Sequence, residues 1–521
     1  MVPTFLFQAG ESEVFLSFVR LRQLFTGKSL LVSGFGLSAC LFYVFTYNSG
    51  YGYDALEYLI IGRAVSQGQP LYSLIPSKSP GIYYVTAAFL SVGLPSNHYT
   101  VSAIITLSFV ATLVGTWWVI RRTLGSEIAI VSTLLVAACA VFMELNFLEP
   151  EGFVYLSGLA AFVLILQSLK VSKRLPVLAA GLCLAVGFEF KSVAAFYILG
   201  ILSFMLFRQL RGEMEFRDSL RIGTLLVTGF LVATAIPILF FATTGRLTEF
   251  WTWTVAFPLF HYPANTFWLN KLVTKLLWFH LLLVMSLLYV VFVPRSRNLI
   301  WNNAPASLAF FMGLASYLAL LKTQSSHYCF PGAGFFSIFI STVLVTAWKT
   351  QSSFVVLPRS LAFVVSVLLL ALTISTLLYR PQAFQRLIKW QNFQEEELIA
   401  SRLKQELAPG QRGLFVRNGT LLYWISGVES AARFTSFDVQ ATYFVEQHPD
   451  SLLKALNDQS TAMVEFNPLD PQFEDSRFTE FANKSGLLSE FKRILEKQYR
   501  PLTNSPAPFH FWLRKAGSEV D

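Results

Sequence analysis

Charge is scarce in this sequence. Of its 521 residues, 14% are Asp, Glu, Lys or Arg, whereas 54% are apolar. Soluble domains usually carry about a quarter charged residues, so this composition excludes an ordinary soluble enzyme. Apolar runs of about 20 residues, long enough to cross the hydrocarbon of a bilayer, recur through the first three quarters of the chain. The sequence therefore predicts a polytopic α-helical membrane protein.

Cysteine and nucleotide-binding motifs are also scarce. The four cysteines stand singly in apolar runs, at Cys40, Cys139, Cys183 and Cys329. This spacing argues against a disulfide framework or a cysteine metal cluster. The sequence contains no Walker loop, no Rossmann glycine fingerprint and no His-Glu-x-x-His helix. It also contains no Asp-x-Asp, which argues against a nucleotide-sugar held by a metal.

The basic residues indicate the orientation of the chain. The formal net charge is +9, but the lysines and arginines cluster in every second loop between apolar runs. The positive-inside rule places such loops in the cytoplasm, so the charge does not indicate a nucleic-acid partner. Eleven candidate spans result, near 29–47, 101–120, 127–143, 152–169, 175–188, 192–207, 222–242, 272–293, 305–321, 331–348 and 360–379. We expect two spans within 175–207, because one helix would place its basic flanks on opposite sides.

Three regions follow from this arrangement. Residues 1–28 form a cytoplasmic amphipathic segment, and residues 29–380 form the membrane domain. Residues 381–521 contain strand-like pieces ("GLFVR", "TAMVEF", "HFWLR") between helical stretches, which predicts an exoplasmic α/β domain. The loops expected on the same exoplasmic side are 48–100, 144–151, 243–271 and 322–330.

Acidic side chains stand in two of these exoplasmic loops. Asp54 and Glu57 are three residues apart and would share one face of a helix that ends at Gly68. Apolar residues lie on the other face, which predicts a helix resting on the membrane surface. In the next loop, "EPE" places Glu149 and Glu151 at the start of a span. Solvated loop acids, or acids favoured by a helix dipole, give the same pattern.

The first loop resembles that of the GT-C glycosyltransferases. It is most similar to bacterial relatives of the dolichyl-phosphate-mannose protein mannosyltransferases and the lipid A aminoarabinose transferases. The matching residues are Asp54, Tyr58, Leu59, Arg63-Ala64, Gly68, Pro70, Tyr72 and Lys78-Ser-Pro80. Two positions depart from the family pattern. Ala55 replaces the second acid of its acidic pair, and Ser79 replaces the first proline of its Lys-Pro-Pro. Whether Glu57 substitutes for the missing acid stays open.

Later segments extend the resemblance over most of the chain. "NFLEPEGFVYLSGLAAF" is similar to the family's second acidic loop, and "GLCLAVGFEFKSVAAFYIL" to its glycine-rich fifth span ending in a lysine. "HYCFPGAGFFSIF" resembles the aromatic-and-proline entrance to a late span. An α/β domain after the last span is also common among the bacterial members.

The resemblance implies an inverting glycosyltransferase. Such an enzyme moves a hexosyl or pentosyl unit from a polyprenyl-phosphate donor to an acceptor hydroxyl on the exoplasmic face. The implied base is Asp54, with Glu149 as the second acid and Glu151 or Glu57 as alternatives. The candidates that would bind the donor phosphate or the substrate are Lys78, Lys191, Arg246, His327, Tyr328 and Tyr58. Two of them have structural alternatives, Lys191 as a side chain that extends to the membrane interface and His327 as a packing residue.

The expected partners are a polyprenyl-phosphate-linked sugar, an acceptor that is a lipid, glycan or protein, and the surrounding membrane lipid. A divalent metal is left undecided. The expected location is a bacterial inner (plasma) membrane, with the N-terminus in the cytoplasm. Two other classes stay open, a transporter or flippase of lipid-linked sugars and a non-catalytic membrane scaffold. A transporter should show inverted repeats and broken helices near mid-membrane, whereas the polar residues here gather at one face.

Overall fold

A computed structural model describes most of the chain. The described residues are 36–44, 46–47, 52–75, 78–95, 97–143, 145, 148–171, 173–261, 277–321, 326–350, 393–417, 419–471, 473, 476–503, 505 and 509–516. The predicted amphipathic segment and the predicted last span, 360–379, lie outside these residues.

The described residues in the first two thirds of the chain are mostly helical. Residues 36–44 are helical, and thirteen further helices follow them among the described residues. These are α1 (Tyr53–Ser66), α2 (Gly81–Ser91), α3 (His98–Thr123), α4 (Ser126–Phe142), α5 (Glu151–Val171), α6 (Leu175–Phe190), α7 (Phe196–Leu210), α8 (Phe216–Thr243), α9 (Leu247–Trp251), α10 (Leu277–Phe292), α11 (Pro294–Trp301), α12 (Ala304–Ser316) and α13 (Phe330–Thr350). A π-helical segment, Thr252–His261, follows α9, and 3₁₀ turns occupy Ser192–Ala195, Tyr317–Leu321 and Ser326–Cys329.

These helices make the protein an integral membrane protein. Among the described residues, five helical stretches are long and apolar enough to cross a membrane. A sixth results if α10 and α11, which are bent by 110°, form one broken span. Four more apolar helices, α2, α4, α6 and α12, are shorter. The predicted count of about eleven spans is therefore not confirmed, whereas the helical membrane class is. The predicted interruption at Lys191 is present, since its extended backbone separates α6 from the next helical turn.

Close backbone approaches hold α1 and α2 against each other and against α6. A side chain at Gly62 would lie 2.2 Å from Thr86 Oγ1, and the Thr86 hydroxyl donates to the Tyr58 carbonyl at 2.9 Å. A side chain at Gly81 would lie 2.7 Å from the Glu189 carbonyl oxygen, at the end of α6. The loop that precedes α2 is thereby fixed beside the residues that follow α6.

Residues after 393 form the smaller, α/β part of the molecule. Its helices are α14 (Gln394–Glu406), α15 (Gly419–Ser426), α16 (Val439–Gln447), α17 (Asp450–Asn457), α18 (Ser476–Lys484) and α19 (Leu487–Gln498). Its strands are β1 (Arg412–Phe415), β2 (Glu429–Ser430), β3 (Thr461–Glu465), β4 (Tyr499–Pro501) and β5 (Phe511–Arg514). The sheet order is β2-β1-β3-β5-β4, with β2, β1 and β3 parallel and the other pairs antiparallel. The three strand-like pieces of the sequence correspond to β1, β3 and β5; the short edge strands β2 and β4 were not predicted.

The α/β part docks onto α1 and the turn that follows it. Arg63 Nη2 donates to the Tyr423 carbonyl at 2.7 Å, and Nη1 donates to the Trp424 carbonyl at 3.3 Å. In return, Arg433 Nη2 donates to the Tyr72 carbonyl at 2.8 Å. The sequence predicts α1 as a helix resting on the membrane surface. Residues 55–62 are instead all buried, because α1 is covered by α2 and by α15.

Candidate active site

The cluster begins with an ion pair in the first loop. Lys78 Nζ lies 2.9 Å from Asp54 Oδ2, and Lys78 also donates to the Tyr58 hydroxyl. Asp54 stands in the first turn of α1, and Tyr58 follows one turn later on the same side. The Asp54 side chain is one-third exposed, whereas Tyr58 is fully buried. The pair thus joins the two predicted signature residues and leaves the carboxylate accessible.

Glu149 reaches the same cluster from the second loop. It follows Leu148, whose φ of +57° lies in the left-handed region that branched side chains rarely adopt. The Glu149 side chain is 5% exposed, and its Oε2 has no hydrogen-bond partner among the described residues. A cavity of about 10 Å³ lies beside it, against Ser108 and Thr112. This is the room that roughly one water molecule needs.

Glu151 and Lys191 form a second, buried ion pair. Glu151 opens α5, where the helix dipole favours a negative charge. Lys191 reaches it from the break after α6, and its ammonium binds Glu151 Oε1. The same ammonium lies 3.5 Å from the centre of the Tyr328 ring. A charge that is expensive to bury is therefore held by a carboxylate and an aromatic face.

His327 stands between the two glutamates. Its Nδ1 lies 3.8 Å from Glu149 Oε1, and its Nε2 lies 3.8 Å from Glu151 Oε1. Both distances are longer than a hydrogen bond. The imidazole, the two carboxylates and the two lysines come from four separate parts of the chain. The fold brings them to one place.

Burial and charge set the acidities of the loop groups. Burial raises the pKa of Asp54, but the charge and hydrogen bond of Lys78 outweigh it, so this pKa lies below its usual value. Burial and the negative charges of Asp54 and Glu151 raise the pKa of Glu149 well above its usual value. Asp54 is therefore a carboxylate at neutral pH, whereas Glu149 retains its proton far more readily.

Three of these residues could hold a divalent cation. Ligand atoms of Glu149, Glu151 and His327 all lie within 4.8 Å of one another. Three of their polar atoms, Glu149 Oε2, Glu151 Oε2 and His327 Nδ1, are without hydrogen-bond partners among the described residues. The donor set suits zinc or a similar ion. The Lys191 ammonium, however, already binds one of the two glutamates and would compete with a metal.

Two predicted residues have different surroundings. Glu57 is 3% exposed and accepts a hydrogen bond from the Tyr83 hydroxyl at 3.2 Å. Arg246 donates to the Leu71 carbonyl at 3.0 Å, which supports the turn after α1. Their roles toward a substrate stay predictions.

Sequence reasoning did not find Tyr83 or the docking role of Arg63 and Arg433. The partners of these residues lie 26, 360 and 361 positions away in the chain. The one local signal was a charged residue, Arg63, at the end of an apolar helix.

Comparison with protein-family models gives one match. Residues 77–241 match the family described as dolichyl-phosphate-mannose-protein mannosyltransferase. No curated protein sequence matches the chain significantly.

Several solved structures have a similar fold. The crystal structure of ArnT from Cupriavidus metallidurans, bound to undecaprenyl phosphate, superposes with a TM-score of 0.62 at 15% identity, covering 94% of this chain and 99% of that one. The apo state of the same ArnT gives a TM-score of 0.60 at 13% identity, covering 94% and 98%. The apo oligosaccharyltransferase of Archaeoglobus fulgidus gives 0.51 at 11% identity, covering 94% and 74%.

The ArnT superposition extends over nearly the whole of both chains, so the similarity includes the helical part and the C-terminal sheet. The family match covers the segment that carries Lys78, both glutamates and Lys191. The predicted resemblance is confirmed: this is a membrane protein that resembles the GT-C superfamily glycosyltransferases, with the fold of ArnT.

Proposed function

We propose that the protein is an inverting glycosyltransferase that moves a sugar from a polyprenyl-phosphate donor to an acceptor hydroxyl. The observation that carries this proposal is the cluster itself: two lysines and three carboxylates gathered at the ends of apolar helices. Family and fold support glycosyl transfer as the reaction class. The undecaprenyl phosphate bound to ArnT supports a polyprenyl-phosphate donor.

Asp54 is the base that we assign. An acceptor hydroxyl must lose its proton as its oxygen attacks the anomeric carbon, and a carboxylate within hydrogen-bond reach can take it. Asp54 is one-third exposed and ionised, whereas Glu149 is 5% exposed with a raised pKa. Accessibility and charge therefore both favour Asp54, and Glu149 is left to orient the acceptor or to share the proton.

Lys78 and Lys191 are the cations that we assign to the donor phosphate. As the bond between the anomeric carbon and the phosphate oxygen breaks, its electron pair stays on that oxygen, and fixed positive charges stabilise it. Lys78 and Lys191 interact electrostatically with Glu149, so both ammonium groups lie near the same carboxyl group. The products are the glycosylated acceptor, the polyprenyl phosphate and protonated Asp54.

Donor binding would also prepare the base. The Lys78 ammonium holds the pKa of Asp54 down through an ion pair. A donor phosphate competes for that ammonium, so the pKa of Asp54 rises toward its usual value as the donor binds. A carboxylate with a higher pKa is a stronger base, and the site then ionises the acceptor only when the donor is present.

The face of the membrane follows from the charge pattern. Basic loops alternate with the loops that carry the cluster, so we assign the cluster and the α/β part to the exoplasmic side of a bacterial inner membrane. A long prenyl chain explains why the reacting groups lie at the ends of apolar helices.

The test is mass spectrometry of cell-envelope glycans and polyprenyl-phosphate sugars, with the gene, without it, and with Asp54→Asn. We expect one glycan modification to disappear and its lipid-linked donor to accumulate both in the deletion and in the variant. A scaffold would tolerate Asp54→Asn. Unchanged glycans with no accumulated donor in the deletion would contradict the transferase.

A further inference from the structure

The small cavity beside Glu149 has the size and the lining of a water site. Its volume of about 10 Å³ admits one water molecule and no larger ligand. Glu149 lines it from the second acidic loop, and Ser108 and Thr112 line it from α3. The rest of the wall is mostly apolar and includes Leu145 and Leu148.

Glu149 brings an unpartnered polar atom to this wall. The side chain is 5% exposed, and its Oε2 has no hydrogen-bond partner among the described residues. A buried polar oxygen that lacks a partner is costly, and such oxygens in folded proteins commonly bond ordered water. Cavities that stay dry are apolar, whereas three polar side chains line this one.

Gly152 shows that the two hydroxyl groups face the same space. It also lines the cavity, and a methyl group added to it would lie 3.5 Å from Thr112 Oγ1, 3.8 Å from Ser108 Oγ and 3.9 Å from Leu145 Cδ2. All three neighbours belong to the cavity wall, so that methyl group would enter the cavity without a clash. A water molecule in the same space faces the same two hydroxyl oxygens.

The polar groups also match the donors and acceptors of one water molecule. The Thr112 hydroxyl donates to the Ser108 carbonyl at 2.9 Å, so its oxygen is left to accept from the water. The second water proton can go to Glu149 Oε2, while the Ser108 hydroxyl rotates to donate to the water. A protonated Glu149 instead donates to the water, and the Ser108 hydroxyl then accepts. Three partners are usual for a buried water.

We propose that the cavity holds an ordered water molecule that fixes the Glu149 carboxyl group, and that Thr112 and Ser108 are positioning residues that act through this water. The left-handed backbone of Leu148, beside Glu149 in the cavity wall, is the kind of strain that accompanies a precisely held functional group. The role in transfer rests on the proposed function of Glu149. The water site itself does not depend on catalysis.

Radiolytic labelling tests the water site without any measurement of activity. A short X-ray pulse makes hydroxyl radicals from bound water, and these label the nearest side chains, which mass spectrometry identifies. Leu148 and Leu159 are both 1% exposed, but only Leu148 lines the cavity. In the full-length protein in detergent we expect Leu148 to be labelled at least several-fold faster than Leu159. Equal, slow labelling of the two leucines would overturn the water site.

Gly152→Ala fills the cavity and tests whether the water positions Glu149. We expect Leu148 labelling to fall several-fold, and kcat to fall several-fold with an unchanged KM for the lipid donor. The midpoint of thermal unfolding should stay or rise, because the new methyl group makes ordinary contacts and alanine favours a helix over glycine. A lower midpoint would indicate general damage and would contradict the positioning role. An unchanged kcat with the labelling lost would also contradict it, while the water site would stand.

A pair of substitutions on α3 repeats the test away from Glu149 and Glu151. Thr112→Val keeps the shape of the side chain and removes the hydroxyl group, whereas Thr112→Ser keeps the hydroxyl group. We expect Thr112→Val to lose both Leu148 labelling and kcat, and Thr112→Ser to retain most of what Thr112→Val loses. Equal kinetics in the two variants would contradict the role of the hydroxyl group. Failure of the transferase proposal itself would appear as unchanged envelope glycans in the deletion and would leave the labelling result intact.

Discussion

The Lys78 ammonium lies 2.9 Å from the Asp54 carboxylate, although the two residues are 24 positions apart in the chain, with most of α1 between them. The pair stands where the α1–α2 hairpin meets the loop before α5 and the break after α6. The two charges neutralise each other, which explains how both persist in a partly buried site if Asp54 is the proposed base and Lys78 the proposed phosphate-binding cation. A substitution at either residue therefore tests the role proposed for the other.

Removal of the Asp54 charge should abolish transfer. Asp54→Asn keeps the size of the side chain but cannot take a proton, so we expect the rate to fall by about 10²–10⁴-fold. Glu57→Gln is the matched control, because Glu57 accepts from Tyr83 and a glutamine oxygen can do the same. The measurement is transfer from a purified donor by protein that is monodisperse in detergent. A larger loss in Glu57→Gln than in Asp54→Asn would show that the missing family acid is supplied by Glu57.

Removal of the Lys78 charge should move the acidic limb of the pH–rate profile to higher pH. Lys78 holds the pKa of Asp54 below its usual value, so the carboxylate stays ionised and available as pH falls. In Lys78→Gln that stabilisation is lost while burial remains, and Asp54 becomes protonated at a higher pH. The measurement is kcat/KM against pH, which reports the free enzyme. The absolute rate will fall as well; only an unshifted limb contradicts the coupling.

The sequence predicted the members of the cluster better than their pairing. Asp54, Lys78, Glu149, Glu151, Lys191 and His327 were all named, because charged residues in apolar contexts are conspicuous and the family pattern is ordered along the chain. Which carboxylate pairs with which lysine depends on contacts across 24 and 40 positions, and no local pattern encodes these.

The number of membrane spans was also hard to predict from local patterns. Helices such as α2 and α12 are apolar but short, and hydropathy alone does not separate them from true spans.

The docking of the α/β part should matter for the rate. Arg63→Ala removes two hydrogen bonds to the Tyr423 and Trp424 carbonyls, and a helix that carries Asp54 at its other end becomes less firmly held. We expect a lower kcat and faster limited proteolysis near residues 67–75. The acidic limb of the pH profile should stay in place, because Lys78 still faces Asp54. A shifted limb would show that the substitution disturbed the ion pair itself.

Metal dependence can be tested at Lys191. In the wild-type protein the two lysines match the charges of Asp54 and Glu151, while Glu149 has a raised pKa. The cluster therefore needs no cation for charge balance, and we expect chelators to leave transfer unchanged. Lys191→Met frees Glu151 to join Glu149 and His327, whose ligand atoms lie within 4.8 Å of one another. That variant should bind zinc, measured by metal analysis after dialysis. Loss of wild-type transfer on chelation, restored by a divalent ion, would contradict the lysine-based balance.

Gly81 should be essential for the position of Lys78. A methyl group there would lie 2.7 Å from the Glu189 carbonyl oxygen, which is backbone at the end of α6 and cannot move away cheaply. Gly81→Ala should therefore push α2 away from α6, separate Lys78 from Lys191, and destabilise the fold by about 1–3 kcal/mol. Thermal unfolding in detergent and the transfer rate measure the two effects.

The control is Gly36→Ala. Gly36 is also helical, but no neighbouring atom lies within 4 Å of the position that an added methyl group would take. Alanine favours a helix over glycine, so this control should keep or slightly raise stability. Equal behaviour of the two variants would mean that the approach of α2 to α6 does not set the geometry of the cluster.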